Sequence, residues 1–256
     1  MDDRALLAAA TPGGATALAA PAPDAAAALE RASVLDQLGL DDEAGLERDW
    51  VVASTVGSPD AMLAVAGALQ RQGFVSRGIR LAQQALDEGA APTADVFRLV
   101  YPLPAVAPVA AEARARGVEP SLAAALIWQE SRFTPTATSP AGARGLMQVM
   151  PSVGRQLASG AGYPAWDPAL LWQPDVSIEL GMRHLASGLR QWPHTAYALA
   201  AYNAGDSRVA RWRRTPGTDD PELFVERIPY AETRDYVRIV LRNRAWYSAL
   251  WPDQTR

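Results

Sequence analysis

Gly39, Gly57, Gly73 and Gly89 close four successive segments of helical periodicity, residues 26–38, 42–55, 59–72 and 75–88. A glycine just past a periodic segment is a helix stop signal. No run shows sustained period-2 alternation, so any strand is short. This punctuation restricts the chain to a mainly α fold. Abundant Ala, common Leu and Arg and short β-branched runs agree with it. The two helix–turn–helix units of similar length fit a fragment of an α-solenoid or, equally, an irregular helical domain.

The chain has 256 residues, enough for one large domain or two smaller ones. Residues 1–24 are rich in Ala, Pro and Gly and read as a loose leader. A helical segment over residues 25–99 follows. In Val100-Tyr101-Pro102-Leu103-Pro104 two prolines bar a regular helix, which makes a linker. The remainder, residues 100–256, reads as a second domain. A helix is expected over about 105–116, stopping at Gly117, and Pro120 with Ser121 opens the next. A loop then runs to about Arg144, with further helices expected near 151–159, 174–190, 194–204, 206–214 and 229–250.

Charge narrows the classes of partner. The net charge of -4 divides unevenly: residues 1–117 hold 15 acids and 9 Arg, and residues 118–256 hold 13 acids and 15 Arg. The C-terminal half is thus the better host for an anionic partner, while nothing resembles a nucleic-acid-binding patch. All 24 basic residues are arginine, and no physical reason for that is evident. With no cysteine, disulfides are excluded and the redox compartment stays open. No segment approaches the ~20 apolar residues of a membrane span. Asp2, Asp3 and the break at Thr11-Pro12-Gly13-Gly14 do not fit a signal peptide. An export signal is therefore expected upstream, or export by another route.

The chemistry centres on Glu130, in Ala125-Leu126-Ile127-Trp128-Gln129-Glu130-Ser131-Arg132-Phe133. It ends an apolar helix, with Ile127 and Leu126 on its face. A carboxylate so placed is poorly solvated, and its pKa should rise. That suits a general acid near neutral pH. The following stretch, Ser139-Pro140-Ala141-Gly142-Ala143-Arg144-Gly145-Leu146-Met147-Gln148-Val149-Met150-Pro151, has the Gly and Pro content of a non-repetitive cleft wall. Met147 and Met150 offer soft apolar surface, or simply core packing, and Gln148 both a donor and an acceptor. Ala201-Tyr202-Asn203-Ala204-Gly205 ends a helix. Ile228-Pro229-Tyr230-Ala231-Glu232-Thr233-Arg234-Asp235-Tyr236-Val237 opens the last long one, where Glu232 also complements the helix dipole. His184 and His194 lack a third ligand motif, so they read as core or surface histidines and no metal is implied. There is no phosphate loop and no Ser/His/Asp pattern.

These four motifs, in this order, resemble the catalytic domain of the soluble lytic transglycosylases, lysozyme-like enzymes that cleave bacterial peptidoglycan. The resemblance covers about residues 100–250, and the helical pairs before Tyr101 look like the end of the α-superhelix that precedes this domain in large members. It implies a mainly α fold, a lysozyme-like catalytic domain preceded by a short solenoid-like segment. Glu130 matches the single catalytic acid/base. Ser139, Gln148, Met150, Tyr202, Asn203 and Glu232 match substrate-contacting positions or their neighbours, with Tyr202 able to bond Glu130 or the substrate. Ser177 stands where the family usually has Asn, and His184 where Tyr is common; both look structural.

The reaction so implied cleaves the β-1,4 bond between N-acetylmuramic acid and N-acetylglucosamine without water. Protonated Glu130 gives its proton to the glycosidic oxygen, and its carboxylate then takes one from the muramic C6 hydroxyl, closing a 1,6-anhydro ring. The expected partner is the peptidoglycan strand, without cofactor or membrane span, by a monomer in the periplasm or cell envelope. Three alternatives stand beside it: a hydrolytic muramidase on the same fold, an inactive glycan-binding module, and a purely helical protein-interaction module, for which only residues 25–90 speak.

Overall fold

A computed structural model describes residues 19–104 and 106–255 of the chain, so most of the leader lies outside the described residues. The chain forms two compact units, divided between Pro104 and Ala105.

The first unit holds α1 (Pro23–Gln37), α2 (Asp41–Ser54), α3 (Pro59–Arg71), α4 (Val75–Asp87) and α5 (Ala94–Val100). The four expected helices end just before their glycines, and α1 begins at Pro23, inside the expected leader. α1 packs on α2 and α3 on α4. The interfaces are built from Ala28, Ala32, Ala44 and Val51 in the first pair and Met62, Leu69, Ile79 and Ala82 in the second, all essentially inaccessible. Gly78 permits the close approach of α3 and α4: a Cβ there would sit 2.7 Å from the Ala66 carbonyl oxygen. Buried Arg48 pairs with Asp36 and lies 3.7 Å from the centre of the Phe74 ring. α5 was not expected. It is short, and Thr93 caps it by accepting from the Val96 amide at 3.4 Å, a local bond that hydrophobic periodicity does not register.

The second unit holds α6 (Val106–Ala115), α7 (Pro120–Ser131), α8 (Pro151–Ala158), α9 (Pro174–Gln191), α10 (Thr195–Ala204), α11 (Asp206–Trp212), α12 (Pro221–Glu226), α13 (Ala231–Leu250) and α14 (Pro252–Thr255). Two 3-10 turns, Ser159–Ala161 and Pro168–Trp172, lie between α8 and α9. Prolines open α7, α8 and α9, where a missing N–H costs nothing and the ring presets φ. Every residue of α7 from Pro120 to Trp128 is buried. A helix apolar on all sides belongs in the middle of a domain, and burying each of Leu122, Leu126 and Ile127 contributes about 1.5–3 kcal/mol.

α7 packs on α13, which also carries α10, and α10 packs on α9. At the far end the Tyr197 hydroxyl donates to the Thr218 and Asp219 carbonyls at 2.8 and 2.9 Å. Its ring meets Phe224 of α12 edge-on. α12 has only six residues, too few for a periodic signal, and Asp220 caps it by accepting from the Glu222 and Leu223 amides. Among the described residues β pairing is limited to isolated bridges, Thr138 with Arg144 and Arg144 with Val149.

Candidate active site

Glu130 sits in the last turn of α7, one residue before its end. Arg132 and Phe133 then adopt left-handed φ of 47° and 60°. This conformation is unfavourable for residues with a side chain, by about 1–2 kcal/mol each. Burial of the Phe133 ring offsets that cost. The chain therefore turns sharply away from α7 and leaves the Glu130 carboxyl at the helix end, with an accessible edge but otherwise enclosed by protein.

The loop that follows is fixed by polar contacts to its surroundings. The Ser131 hydroxyl donates to the Leu146 carbonyl at 2.8 Å. The Met147 amide donates to the Ser177 hydroxyl of α9 at 3.2 Å. That contact accounts for Ser177, which is fully buried. Gly145 has φ +78°, and a Cβ on it would lie 1.9 Å from the Leu171 carbonyl oxygen. Only glycine lets the loop press this closely on the turn before α9.

Tyr236, in the second turn of α13, donates its hydroxyl to Glu130 Oε1 at 2.6 Å. Burial raises the Glu130 carboxyl to about 7, and the Tyr236 bond opposes that rise. The Tyr202 and Tyr236 hydroxyls are pushed well above their usual range, first by burial and then by the Glu130 charge. Both tyrosines thus stay neutral hydrogen-bond donors beside a carboxyl poised near neutrality.

Tyr202 does not bond Glu130. Its hydroxyl donates to the Met147 carbonyl at 2.7 Å, tying α10 to the loop. The tyrosine on the carboxyl is Tyr236, to which sequence reasoning gave no role.

The other expected residues fall into two groups. On the loop, the Ser139 hydroxyl accepts from the Ala143 amide at 3.1 Å. The Gln148 amide donates to the Ala137 and Gly145 carbonyls at 3.1 and 2.9 Å, from a backbone at φ 48°. Those polar atoms hold the loop's own shape, whereas the Met150 side chain is exposed. On the helices, Asn203 Oδ1 accepts from the Thr233 hydroxyl at 2.7 Å, joining the end of α10 to the first turn of α13. Glu232 is exposed in that turn. His184 meets the Tyr202 ring at a tilt with ring centres 4.8 Å apart, and burial lowers its pKa. Among the described residues no three His, Asp or Glu side chains converge as a metal site would need.

The arrangement is a helical domain that holds one buried carboxyl, titrating near neutrality, under a rigid loop and two tyrosines. Residues 107–225 match the family model described as the transglycosylase SLT domain. The chain is 38% identical over 137 residues to the soluble lytic murein transglycosylase of Salmonella typhimurium, covering 52% of this chain and 21% of that protein. It is 37% identical over 137 residues to the Escherichia coli K12 protein of that name, with the same coverage. Among solved structures, an inactive Glu-to-Gln mutant of the lytic transglycosylase Slt from Pseudomonas aeruginosa superposes with a TM-score of 0.73 at 30% identity, over 90% of this chain and 37% of that one. The 70 kDa soluble lytic transglycosylase of Escherichia coli gives 0.77 at 24% identity, over 99% and 43%, a likeness of fold. Residues 107–225 thus form a transglycosylase SLT domain similar to that of the soluble lytic murein transglycosylases, and the fold is the mainly α, lysozyme-like one. The matched stretch spans about a fifth of the length of the curated relatives.

Proposed function

We propose that the protein is a peptidoglycan lytic transglycosylase with Glu130 as its single acid/base. The observation that carries this is the Glu130 carboxyl at the buried end of α7, held by the Tyr236 hydroxyl at 2.6 Å and raised to about 7 by burial. A carboxyl near neutrality suits a single acid/base, donating a proton to the glycosidic oxygen and then taking one back. The oxygen that attacks C1 is the sugar's own C6 hydroxyl, so the product carries a 1,6-anhydro ring. A single Glu-to-Gln substitution in the inactive Pseudomonas aeruginosa relative agrees with one essential glutamate in such a domain.

Tyr236 orients the Glu130 carboxyl, and Tyr202 holds the loop against it. Ser139, Gln148, Met150, Asn203 and Glu232 are proposed to shape the cleft that takes the glycan, Met150 and Glu232 by direct contact. No helix among the described residues is long and apolar enough to cross a membrane. The proposed substrate places the site of action in the cell envelope.

Digestion of purified peptidoglycan by the native chain and by Glu130→Gln tests this. The expected products end in 1,6-anhydromuramic acid and are absent with the mutant. Products one water heavier would establish a hydrolytic muramidase instead. No products from the native chain, with the glycan still bound, would establish a binding module.

A further inference from the structure

The Arg144 guanidinium lies 4.5 Å from the centre of the Trp172 ring. Trp172 is 37% exposed, and its indole N–H donates to the Thr138 hydroxyl at 3.2 Å. Arg144 is the middle of the loop's two bridges, to Thr138 and to Val149, so its backbone is fixed on both sides. This contact holds the guanidinium over the indole and leaves N–H groups for an anion. Yet Arg144 has no carboxylate partner among the described residues, and its Nε is buried without a hydrogen bond. A charged group partly withdrawn from water ordinarily has a counter-ion. Here one is missing, on the same loop that carries Ser139, Gln148 and Met150.

We propose that Arg144 and Trp172 form a subsite for an N-acetylhexosamine ring bearing an acidic substituent. This rests on the glycan-strand reading above and names which ring the strand presents here. The exposed indole offers an apolar plate to the C–H face of the sugar. Arg144 pairs with a carboxylate hung from that sugar. In a murein strand this carboxylate has two sources, the lactyl group of a bare muramic residue or the peptide stem attached to it. A neutral N-acetylglucosamine oligomer has neither.

The test is binding to the full chain carrying Glu130→Gln, which prevents turnover. Three probes of matched length are compared: a neutral N-acetylglucosamine oligomer, a bare glycan strand and a stem-bearing one. Adding Arg144→Gln is expected to weaken an acidic strand about tenfold, the loss of one charge-assisted contact. It should leave the neutral oligomer unchanged. Whether the bare or only the stem-bearing strand is weakened identifies the carboxylate. Adding Trp172→Ala should weaken all three probes, and Trp172→Phe should restore most of the loss. The melting temperature is followed throughout, so a misfolded variant is recognised and Trp172→Phe is read in its place. Equal weakening of all probes by Arg144→Gln, weakening of none, or no binding of any strand overturns the subsite. Arg144-dependent binding together with no cleavage by the native chain would sink only the proposed activity.

Discussion

Tyr236 and Glu130, 106 residues apart in sequence, meet at 2.6 Å through the packing of α13 on α7. The bond stabilises the charged form of the carboxyl, so it works against the burial that raises the Glu130 pKa. Tyr236→Phe keeps the ring and removes only the donor. The Glu130 pKa should then move further above about 7. The alkaline limb of kcat/KM should move up with it, while kcat falls about tenfold to a hundredfold because the carboxyl is less well oriented. A pH–rate profile of the variant checks both. A downward shift of that limb would show that losing the hydroxyl had let water in.

Glu130→Gln should change stability in a pH-dependent way. In the native chain the folded-state pKa of Glu130 is raised from 4.5 to about 7. The unfolded chain therefore releases its proton first as pH rises. Stability from this group is fully present below about pH 4.5, falls between there and about 7, and is lost above. Glutamine has no proton to lose. The variant should therefore gain on the native chain across that window, by at most about 3 kcal/mol above neutrality. Thermal unfolding at pH 5 and pH 8 measures it. A pH-independent difference would mean that Glu130 is not held neutral by its surroundings.

Gly145→Ala places a methyl group 1.9 Å from the Leu171 carbonyl oxygen, at a residue with φ +78°. Backbone on both sides must shift, and the strained conformation adds to the cost. A destabilisation of about 3 kcal/mol or more is expected, read from urea unfolding. Gly142→Ala is the control: φ is +87° there, but nothing lies within 4 Å of the added Cβ. It should cost about 1 kcal/mol, the conformational share alone.

The helices were legible because their signals are local. α7 shows this: Pro120 marks its start, its apolar run forces burial, and Glu130 stands out as the acid at its end. What was not legible depends on partners distant in the chain. Within its own helix Tyr236 looks like a packing residue, and only α7 gives it a role. Tyr202 was singled out, but its bond to the Met147 carbonyl requires knowing that α10 faces the loop. Gln148 could be read as a polar cleft residue. Its left-handed backbone, which turns its amide onto the Ala137 and Gly145 carbonyls, has no signature in a residue other than glycine. α5 and α12 escaped because seven and six residues are too few to show a period.

Tyr202→Phe separates the loop's stability from the chemistry of the carboxyl. The lost hydroxyl leaves the buried Met147 carbonyl without its donor, which costs about 1–3 kcal/mol. That cost should fall on the loop rather than the whole domain, because Gly145 and Ser177 still hold its other side. Hydrogen exchange should therefore speed up over residues 137–149, with α7 and α13 little changed. KM for the glycan should rise as the cleft wall loosens, with the alkaline limb near pH 7 unmoved, since Tyr236 and not Tyr202 touches Glu130. A displaced limb with an unchanged exchange pattern would instead place Tyr202 on the reacting carboxyl and its bond to Met147 in a secondary role.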